Sequence, residues 1–357
     1  MIGQTPMDAS LSGVEVRIGV ISFAHTAHAI SYSSALSRIE GVSLAAIYDE
    51  DSGRGREYAR QFQTTFFSNP DKLLGQDDIQ GVIVCSPTNL HRDLVCAAAQ
   101  AGKHVLCEKP IATSIPDAQA MIAACSSAGV LFQIPFVCRF YPMVQAARKL
   151  VQSGEIGRVL GVVGGNRGCP PLPPVYPEWI ADPIQAGGGA LLDHSVHVTD
   201  AMRFIFEKEV SSVFAEKSIF HPPGLAVEDC GLLSLIFQNG IIGTVDPSWS
   251  IPENNPYHYD FYLRILGEKG TINMDDTRQA LTVVSDYPTQ RGVTAQPFGI
   301  DVDLEMVRHF IRCIRLGVNL FPAASGEDGL RALAIALAAY DSANKHEPVN
   351  LPYERSI

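Results

Sequence analysis

The N-terminal part of the chain reads as short apolar runs separated by longer amphipathic stretches. Val16–Ile21, Val42–Tyr48 and Gly81–Cys85 are almost continuously apolar, as strands covered on both faces are. Thr65–Phe67, Val105–Cys107 and Val130–Val137 extend the series. Between them, Ala27–Ile39, Gly55–Phe62, Arg92–Ala101 and Ile115–Ser127 predict helices, two of them closed by Gly41 and Gly102. Strands that alternate with helices predict a parallel sheet with helices on both faces.

The pattern changes after Pro142. Met143–Ser153 predicts a helix, Leu160–Gly165 a strand, Gly168–Pro177 a Pro-rich loop, and Leu191–Phe206 a helix preceded by three glycines. Then strands follow one another without helices between them: Val210–Ser218, Asp229–Phe237, Gly240–Ser248, Tyr259–Leu266, Thr271–Met274 and Ala280–Val284. That order predicts a largely antiparallel sheet. Leu304–Leu316 and Gly326–Ala343 close the chain as helices. The resulting division is a flexible tail at 1–14, a first α/β domain at 15–138 and a second at 139–357, whose last helices could pack back on the first.

Length and composition agree with two packed domains: 357 residues, 46% hydrophobic and 18% charged, mean hydropathy +0.09. The net charge of −11 gives no electrostatic footprint for nucleic acid or an anionic membrane. No apolar run is long enough to span a bilayer, and the N-terminal residues do not read as a signal peptide. Eight cysteines show no C-x-x-C spacing and several sit in apolar runs, so free thiols in a reducing cytoplasm are expected.

In an open parallel sheet, ligands sit outside the carboxyl ends of the strands. Polar residues punctuate this chain at those positions: Ser22–His25, Asp49, Ser86–Asn89 and Glu108-Lys109. Where a G-x-G-x-x-G dinucleotide fingerprint would stand, the chain has Ser22-Phe-Ala-His-Thr-Ala27, with Ser or Ala at every glycine position. Small side chains still allow a tight turn, so Ser22, Phe23, Ala24 and His25 are expected to hold a pyrophosphate through backbone groups. The alternative is a fold of this type without a nucleotide. Asp49 ends the second strand, placed to accept ribose hydroxyls and to repel a 2′-phosphate, which favours NAD over NADP. Its alternative is to cap the next helix.

Several strings in combination carry a family resemblance. They are Gly81-Val-Ile-Val-Cys-Ser-Pro-Thr-Asn-Leu-His91, Ala101-Gly-Lys-His-Val-Leu-Cys-Glu-Lys-Pro110, Gly187-Gly-Gly-Ala-Leu-Leu-Asp-His-Ser-Val-His-Val-Thr-Asp200, and Ser325-Gly-Glu-Asp-Gly-Leu-Arg-Ala-Leu with the closing Pro348-Val-Asn-Leu-Pro. The chain resembles the glucose–fructose oxidoreductase, inositol 2-dehydrogenase and rhizopine-catabolism (Gfo/Idh/MocA) family over nearly its whole length. The resemblance implies an N-terminal Rossmann domain joined to a C-terminal α/β domain with a large, mostly antiparallel open sheet. It implies an NAD-dependent oxidoreductase that interconverts a secondary alcohol and a ketone on a sugar, cyclitol or related polyol. The glycine loop is the one departure.

By the same resemblance, Lys109 lies beside nicotinamide and substrate, before a proline that is often cis. His197 is the acid/base, and Asp193 binds or polarises the reacting alcohol. The residues agree: Asp193 and His197 are four apart on one predicted helix face, and an imidazole titrates near neutrality. The alternative is an ordinary helix-surface pair. Ser86, Thr88, Asn89, His91 and Glu108 are assigned to the cofactor crevice, His91 with a capping or core role as its alternative. Arg139, with Tyr141, could reach cofactor or substrate. Trp179 could wall the substrate pocket or be a core tryptophan. His194 lies off the face and reads as structural; Asp200 reads as extending the stripe or as helix surface. No metal is expected. The apolar strands of the second sheet suggest that another copy covers them, as a homodimer or homotetramer. Two other functions remain: a tightly bound, cycling NAD used for glycoside cleavage or epimerisation, and a non-enzymatic sugar or nucleotide sensor.

Overall fold

A computed structural model describes residues 15–172, 176–220, 225–278, 280–285, 292–297 and 299–351. The expected tail at 1–14 and part of the Pro-rich loop lie outside the described residues. The chain divides into two compact units: one holds the chain up to Val137 together with Asp301–Leu330, the other Cys138–Ile300 with the chain from Arg331 onward.

In chain order the first unit begins with β1 (Val16–Ile21), α1 (Thr26–Leu36), β2 (Val42–Tyr48), α2 (Ser52–Gln61), β3 (Thr65–Phe67) and α3 (Pro70–Leu74). It continues with β4 (Gly81–Val84), α4 (His91–Gln100), β5 (His104–Cys107), α5 (Ile115–Ala128) and β6 (Phe132–Ile134). The second unit opens with α6 (Pro142–Gln152), β7 (Val159–Gly168), α7 (Ala190–Phe206), β8 (Val210–Ser218), β9 (Cys230–Phe237) and β10 (Ile242–Asp246). Then come β11 (Tyr259–Gly267), β12 (Thr271–Asp275), β13 (Ala280–Ser285) and β14 (Gly292–Pro297). The chain returns to the first unit for α8 (Val302–Leu316) and β15 (Ala324–Ser325), and closes with α9 (Gly326–Lys345) and β16 (Val349–Asn350).

The first sheet runs β15-β6-β5-β4-β1-β2-β3. Its strands pair in parallel except β15, which lies antiparallel on β6. Ile18, Val20, Ile47, Val82, Val84 and Val105 are buried, as an apolar run covered on both faces requires. The chain winds outward to one side from β1 and to the other from β4, so the topological switch lies between them. A ligand crevice belongs at the carboxyl ends there. α8 packs on α1, where Ser31 Oγ donates to Asp303 Oδ2 at 2.5 Å.

The second sheet runs β12-β11-β7-β10-β9-β8-β16 and is antiparallel apart from the β7–β10 pair. α7 lies on β7, and glycines make room for it. A Cβ on Gly164 would stand 2.4 Å from Leu263 Cδ2 and 2.9 Å from Met202 Cε; one on Gly168 would stand 2.6 Å from the His194 ring. Leu191, Leu192, Val196, Val198 and Ile205 of α7 are buried. Each such side chain contributes about 1.5–3 kcal/mol relative to exposure.

Some boundaries differ from expectation for local reasons. The strand expected to run to Val137 stops at Ile134, because Pro135 has no N–H for the ladder, and Val137–Phe140 turns as a 3-10 helix. The strand expected from Gly240 begins at Ile242, since Gly240 is left-handed (φ 84°) and closes a turn by donating to Phe237 O. The short helix α3 is absent from the sequence expectation, although Asn69 before Pro70 caps it by accepting from Asp71 N–H. Among the described residues no helix is long and apolar enough to cross a membrane. All eight cysteines are free thiols.

Candidate active site and cofactor crevice

The loop after β1 is drawn inward. Ser22 takes a left-handed conformation (φ 71°) that L-residues rarely adopt, at the first missing glycine. The Phe23 N–H donates to Asp49 Oδ2 (2.7 Å), the Ala24 N–H to Ser22 Oγ (3.0 Å) and the His25 N–H to Cys85 O (2.9 Å). The Phe23 ring is buried and stacks on Tyr58, 4.4 Å between centroids. This corrects the expectation that Phe23, Ala24 and His25 offer their amides to a pyrophosphate: those three amides are satisfied inside the protein. The donors at the mouth belong one step later. The first bond of the α1 ladder runs from Ala29 N–H to His25 O, so the amides of Thr26, Ala27 and His28 precede it. The first turn carries no acidic side chain. A helix start of this kind suits a pyrophosphate through its amides and its dipole.

Asp49 also differs from its expected role. Its carboxylate is 1% exposed and accepts four hydrogen bonds: from Phe23 N–H, Asp51 N–H, Arg54 Nε and Arg54 Nη2. It braces the β1 and β2 loops against each other and has no free lone-pair direction for a ribose. It is not the helix cap either; Asp51 caps α2, accepting from Gly53 and Arg54 N–H. Arg54 reaches Glu50 as well, at 2.7 Å, and Ser22 Oγ donates to the same Glu50 oxygen.

At the end of β4, Ser86 and Thr88 are buried and Asn89 is exposed. His91 is fully buried: Nδ1 lies 3.1 Å from Pro110 O and 3.2 Å from Ile111 O, and Nε2 lies 3.1 Å from Ser86 O. Burial holds its pKa below the ordinary imidazole value. The ring ties the β4 turn to the β5 turn, which corrects its assignment to the cofactor in favour of the core alternative. At the end of β5, Glu108 is buried, its Oε1 2.9 Å from His28 Nδ1, and its Oε2 accepts from Lys109 N–H. Burial opposes the charge, but His28, His25 and Lys109 outweigh it and hold the carboxyl well below its usual range. The Lys109–Pro110 peptide bond is cis.

In the second unit, α7 brings Asp193 and His197 one turn apart. Of its seventeen residues Asp193 alone is not buried. Asp193 Oδ2 lies 3.2 Å from the Nε2 of buried His194, whose ring meets Trp249 and Tyr259 edge-on. Tyr259 shares a hydrogen bond with Tyr176; burial, Tyr176 and then Asp193 push its phenol far up. Trp179 packs, half-buried, against Ile180, Ala190, Val227 and Trp249. Arg139 corrects its assignment to cofactor. Its guanidinium is buried and bidentate on fully buried Asp200 (2.8 and 2.6 Å), so Asp200 is core rather than helix surface.

Sequence reasoning missed Glu228. Its Oε1 accepts from Gly189 N–H (3.0 Å), Leu191 N–H (3.1 Å) and the Tyr340 hydroxyl (2.6 Å), capping α7 from a distant segment. A Cβ on Gly188 would stand 2.1 Å from the Tyr340 hydroxyl, and one on Gly189 2.0 Å from Glu228 O. Those two glycines make room for this cap. The signal was the lack of Ser, Thr, Asp or Asn before Ala190, which leaves the helix start to be capped from elsewhere.

Comparison with known proteins gives the class. Residues 16–136 match the family model described as the oxidoreductase family with NAD-binding Rossmann fold, and residues 144–273 match the GFO/IDH/MocA C-terminal domain. The chain belongs to the GFO/IDH/MocA oxidoreductase family. It is 33% identical to the myo-inositol 2-dehydrogenase of Thermotoga maritima, covering 94% of this chain and 98% of that one. It is 27% identical to the scyllo-inositol 2-dehydrogenase (NAD(+)) of Bacillus subtilis, covering 90% and 92%. The solved structure of levoglucosan dehydrogenase in complex with NADH and L-sorbose superposes with a TM-score of 0.80 at 26% identity, over 95% and 99% of the two chains. These relatives are dehydrogenases, and neither a cycling cofactor nor a sensor is favoured by them.

Proposed function

We propose that this chain is an NAD-dependent dehydrogenase acting on a secondary alcohol of a sugar, cyclitol or related polyol. The observation that carries the reading is Asp193, the one side chain of α7 that is not buried, with His197 one turn further along the same helix. His197 takes the hydroxyl proton as the alcohol carbon becomes a ketone, and Asp193 orients the hydroxyl. The Lys109 ammonium favours the developing alkoxide. Bound NAD supplies the hydride acceptor at C4 of its nicotinamide. Its pyrophosphate is held at the start of α1, with Ser22 shaping the turn and Ser86, Thr88 and Asn89 along the crevice edge. Trp179 walls the substrate side. NAD is preferred over NADP because Asp49 and Glu50 outnumber the Arg54 that bridges them.

A second copy of the chain is the proposed partner. Leu232, Ile236, Ile242 and Leu266 on β9, β10 and β11 are half or more exposed, and Ile242 pairs with Ile236 across the ladder. Such a contiguous apolar patch favours burial against another subunit. Light scattering at micromolar concentration tests this, a monomer being the contrary result. Eight free thiols favour a reducing compartment such as the cytoplasm.

A screen of polyols and sugars for NADH formation, with mass analysis of copurified cofactor, tests the main reading. Net NADH from at least one polyol supports it. Retention of NAD through turnover with no net NADH on any substrate would overturn it.

A further inference from the structure

The start of α1 and the end of β5 bring three metal-ligating side chains to one point, none of which takes part in the proposed proton or hydride transfer. His25 and His28 lie three residues apart, and their rings stack at 3.9 Å between centroids, 13° from parallel. Glu108 closes the group, with Oε1 2.9 Å from His28 Nδ1. One ligand atom from each of the three lies within 4.8 Å of the other two. We propose that His25, His28 and Glu108 form a binding site for a divalent transition-metal ion of the zinc class.

The donor set favours that class. Two imidazole nitrogens and one carboxylate oxygen are borderline in softness, which suits zinc, cobalt or iron(II) better than magnesium or calcium. Tetrahedral bonds of about 2.0–2.2 Å set neighbouring ligand atoms roughly 3.4 Å apart. The His28–Glu108 pair would open from 2.9 Å to admit the ion, with all three ligand atoms already within 4.8 Å of one another, a change within reach of side-chain rotation. Both histidines are half-buried while Glu108 is buried, so an ion can enter from the imidazole side and meet a desolvated carboxylate. Three protein ligands leave a coordination position open, as catalytic zinc sites do. The site stands at the mouth of the β1–β4 crevice but does not depend on a dinucleotide being there.

The test uses untagged protein stripped with EDTA and then dialysed free of it. Zinc chloride is titrated by calorimetry, and cobalt(II) chloride is followed by its visible d–d absorption. One equivalent per chain is expected, with cobalt absorption of low-symmetry coordination. His25→Asn and His28→Asn should each weaken uptake by roughly tenfold or more, the scale on which even outer-shell changes act. Glu108→Gln removes the third ligand; since it alters a buried group, the half-exposed His25 variant with unchanged circular dichroism is the deciding comparison. Absence of saturable uptake, or uptake unaltered in both histidine variants, overturns the proposal and leaves His28 and Glu108 as an ion pair alone. NAD is titrated separately into the stripped protein. NAD binding without metal binding removes this inference and spares the cofactor reading; metal binding without NAD binding does the reverse.

Discussion

Arg54 grips both carboxylate oxygens of Asp49, with Nε 2.9 Å from Oδ2 and Nη2 2.7 Å from Oδ1. The same Nη2 lies 2.7 Å from Glu50. Two carboxylates and one guanidinium leave a net negative charge at the carboxyl end of β2, the position from which the sequence pattern sets cofactor preference. A 2′-phosphate there meets repulsion that NAD does not. The protein should therefore bind NAD more tightly than NADP. Arg54→Ala should widen that ratio and Asp49→Asn should narrow it, each by on the order of tenfold, or about 1.4 kcal/mol. Paired titrations check this; tighter NADP binding by the unaltered protein would contradict it.

Arg139 and Asp200 form a buried pair whose geometry is bidentate. Breaking such a pair leaves one charge desolvated, at about 3–5 kcal/mol. Asp200→Ala should lower the thermal midpoint strongly. The double variant Arg139→Met with Asp200→Leu should recover part of that loss, because Arg139 is no longer left charged without its partner, while buried Arg203, 3.6 Å from Asp200, keeps its pair with Glu209. A double variant as unstable as the single one would show that the pair's shape, rather than its charge, is what the core requires.

Asp276 offers a pH test. Burial, with Asp260 and Asp275 nearby, pushes its carboxyl up to about 6 against the Phe261 N–H that it accepts at 2.8 Å. The folded state holds this proton to a higher pH than the unfolded chain does. Stability from this group is present at acidic pH, falls as pH rises from about 4 to about 6, and stays lost above that. Asp276→Asn should raise the thermal midpoint at pH 8 by about 2–4 °C and by less at pH 4. Equal shifts at both pH values would rule out the titration.

The class of each unit was legible because buried parallel strands leave unbroken apolar runs, and those runs sit where β1, β2 and β4 are; the strand order was not. Chain ends of elements were less legible where one residue decides, as Pro135 does for β6 and Gly240 does for β10. The candidate site was legible as residue types but not as partners. Asp49, His91 and Arg139 look like ligand contacts in a string, since nothing local says that Arg54, the Pro110 carbonyl and Asp200 already occupy them. Those partners lie five, nineteen and sixty-one residues away. His28 escaped notice for the same reason: its meaning comes from Glu108, eighty residues on and reached only through the strand order.

His197 carries the sharpest test of the proposed chemistry. Asn at this position keeps polarity and approximate size but cannot titrate near neutrality. A positioned acid/base contributes about 10²–10⁴-fold, and its effect belongs to the transition state, so the loss in His197→Asn should fall on kcat with little change in KM. NAD affinity should hold, because the proposed dinucleotide contacts lie on the first unit and His197 lies on α7 of the second. The buried position of His197 makes a fold control necessary, and Asn leaves the α7 backbone hydrogen bonds intact; an unchanged thermal midpoint separates chemistry from folding. Lys109→Ala should behave differently, lowering kcat and raising KM together, since its charge acts on bound alcohol and alkoxide alike. The pH profile adds a second readout. Oxidation by the unaltered enzyme should rise as His197 loses its proton, and that limb should vanish in the Asn variant. A pre-steady-state burst identifies whether product release masks the step, in which case the burst rate is compared instead. Near-normal turnover with an unchanged limb would remove His197 from the role.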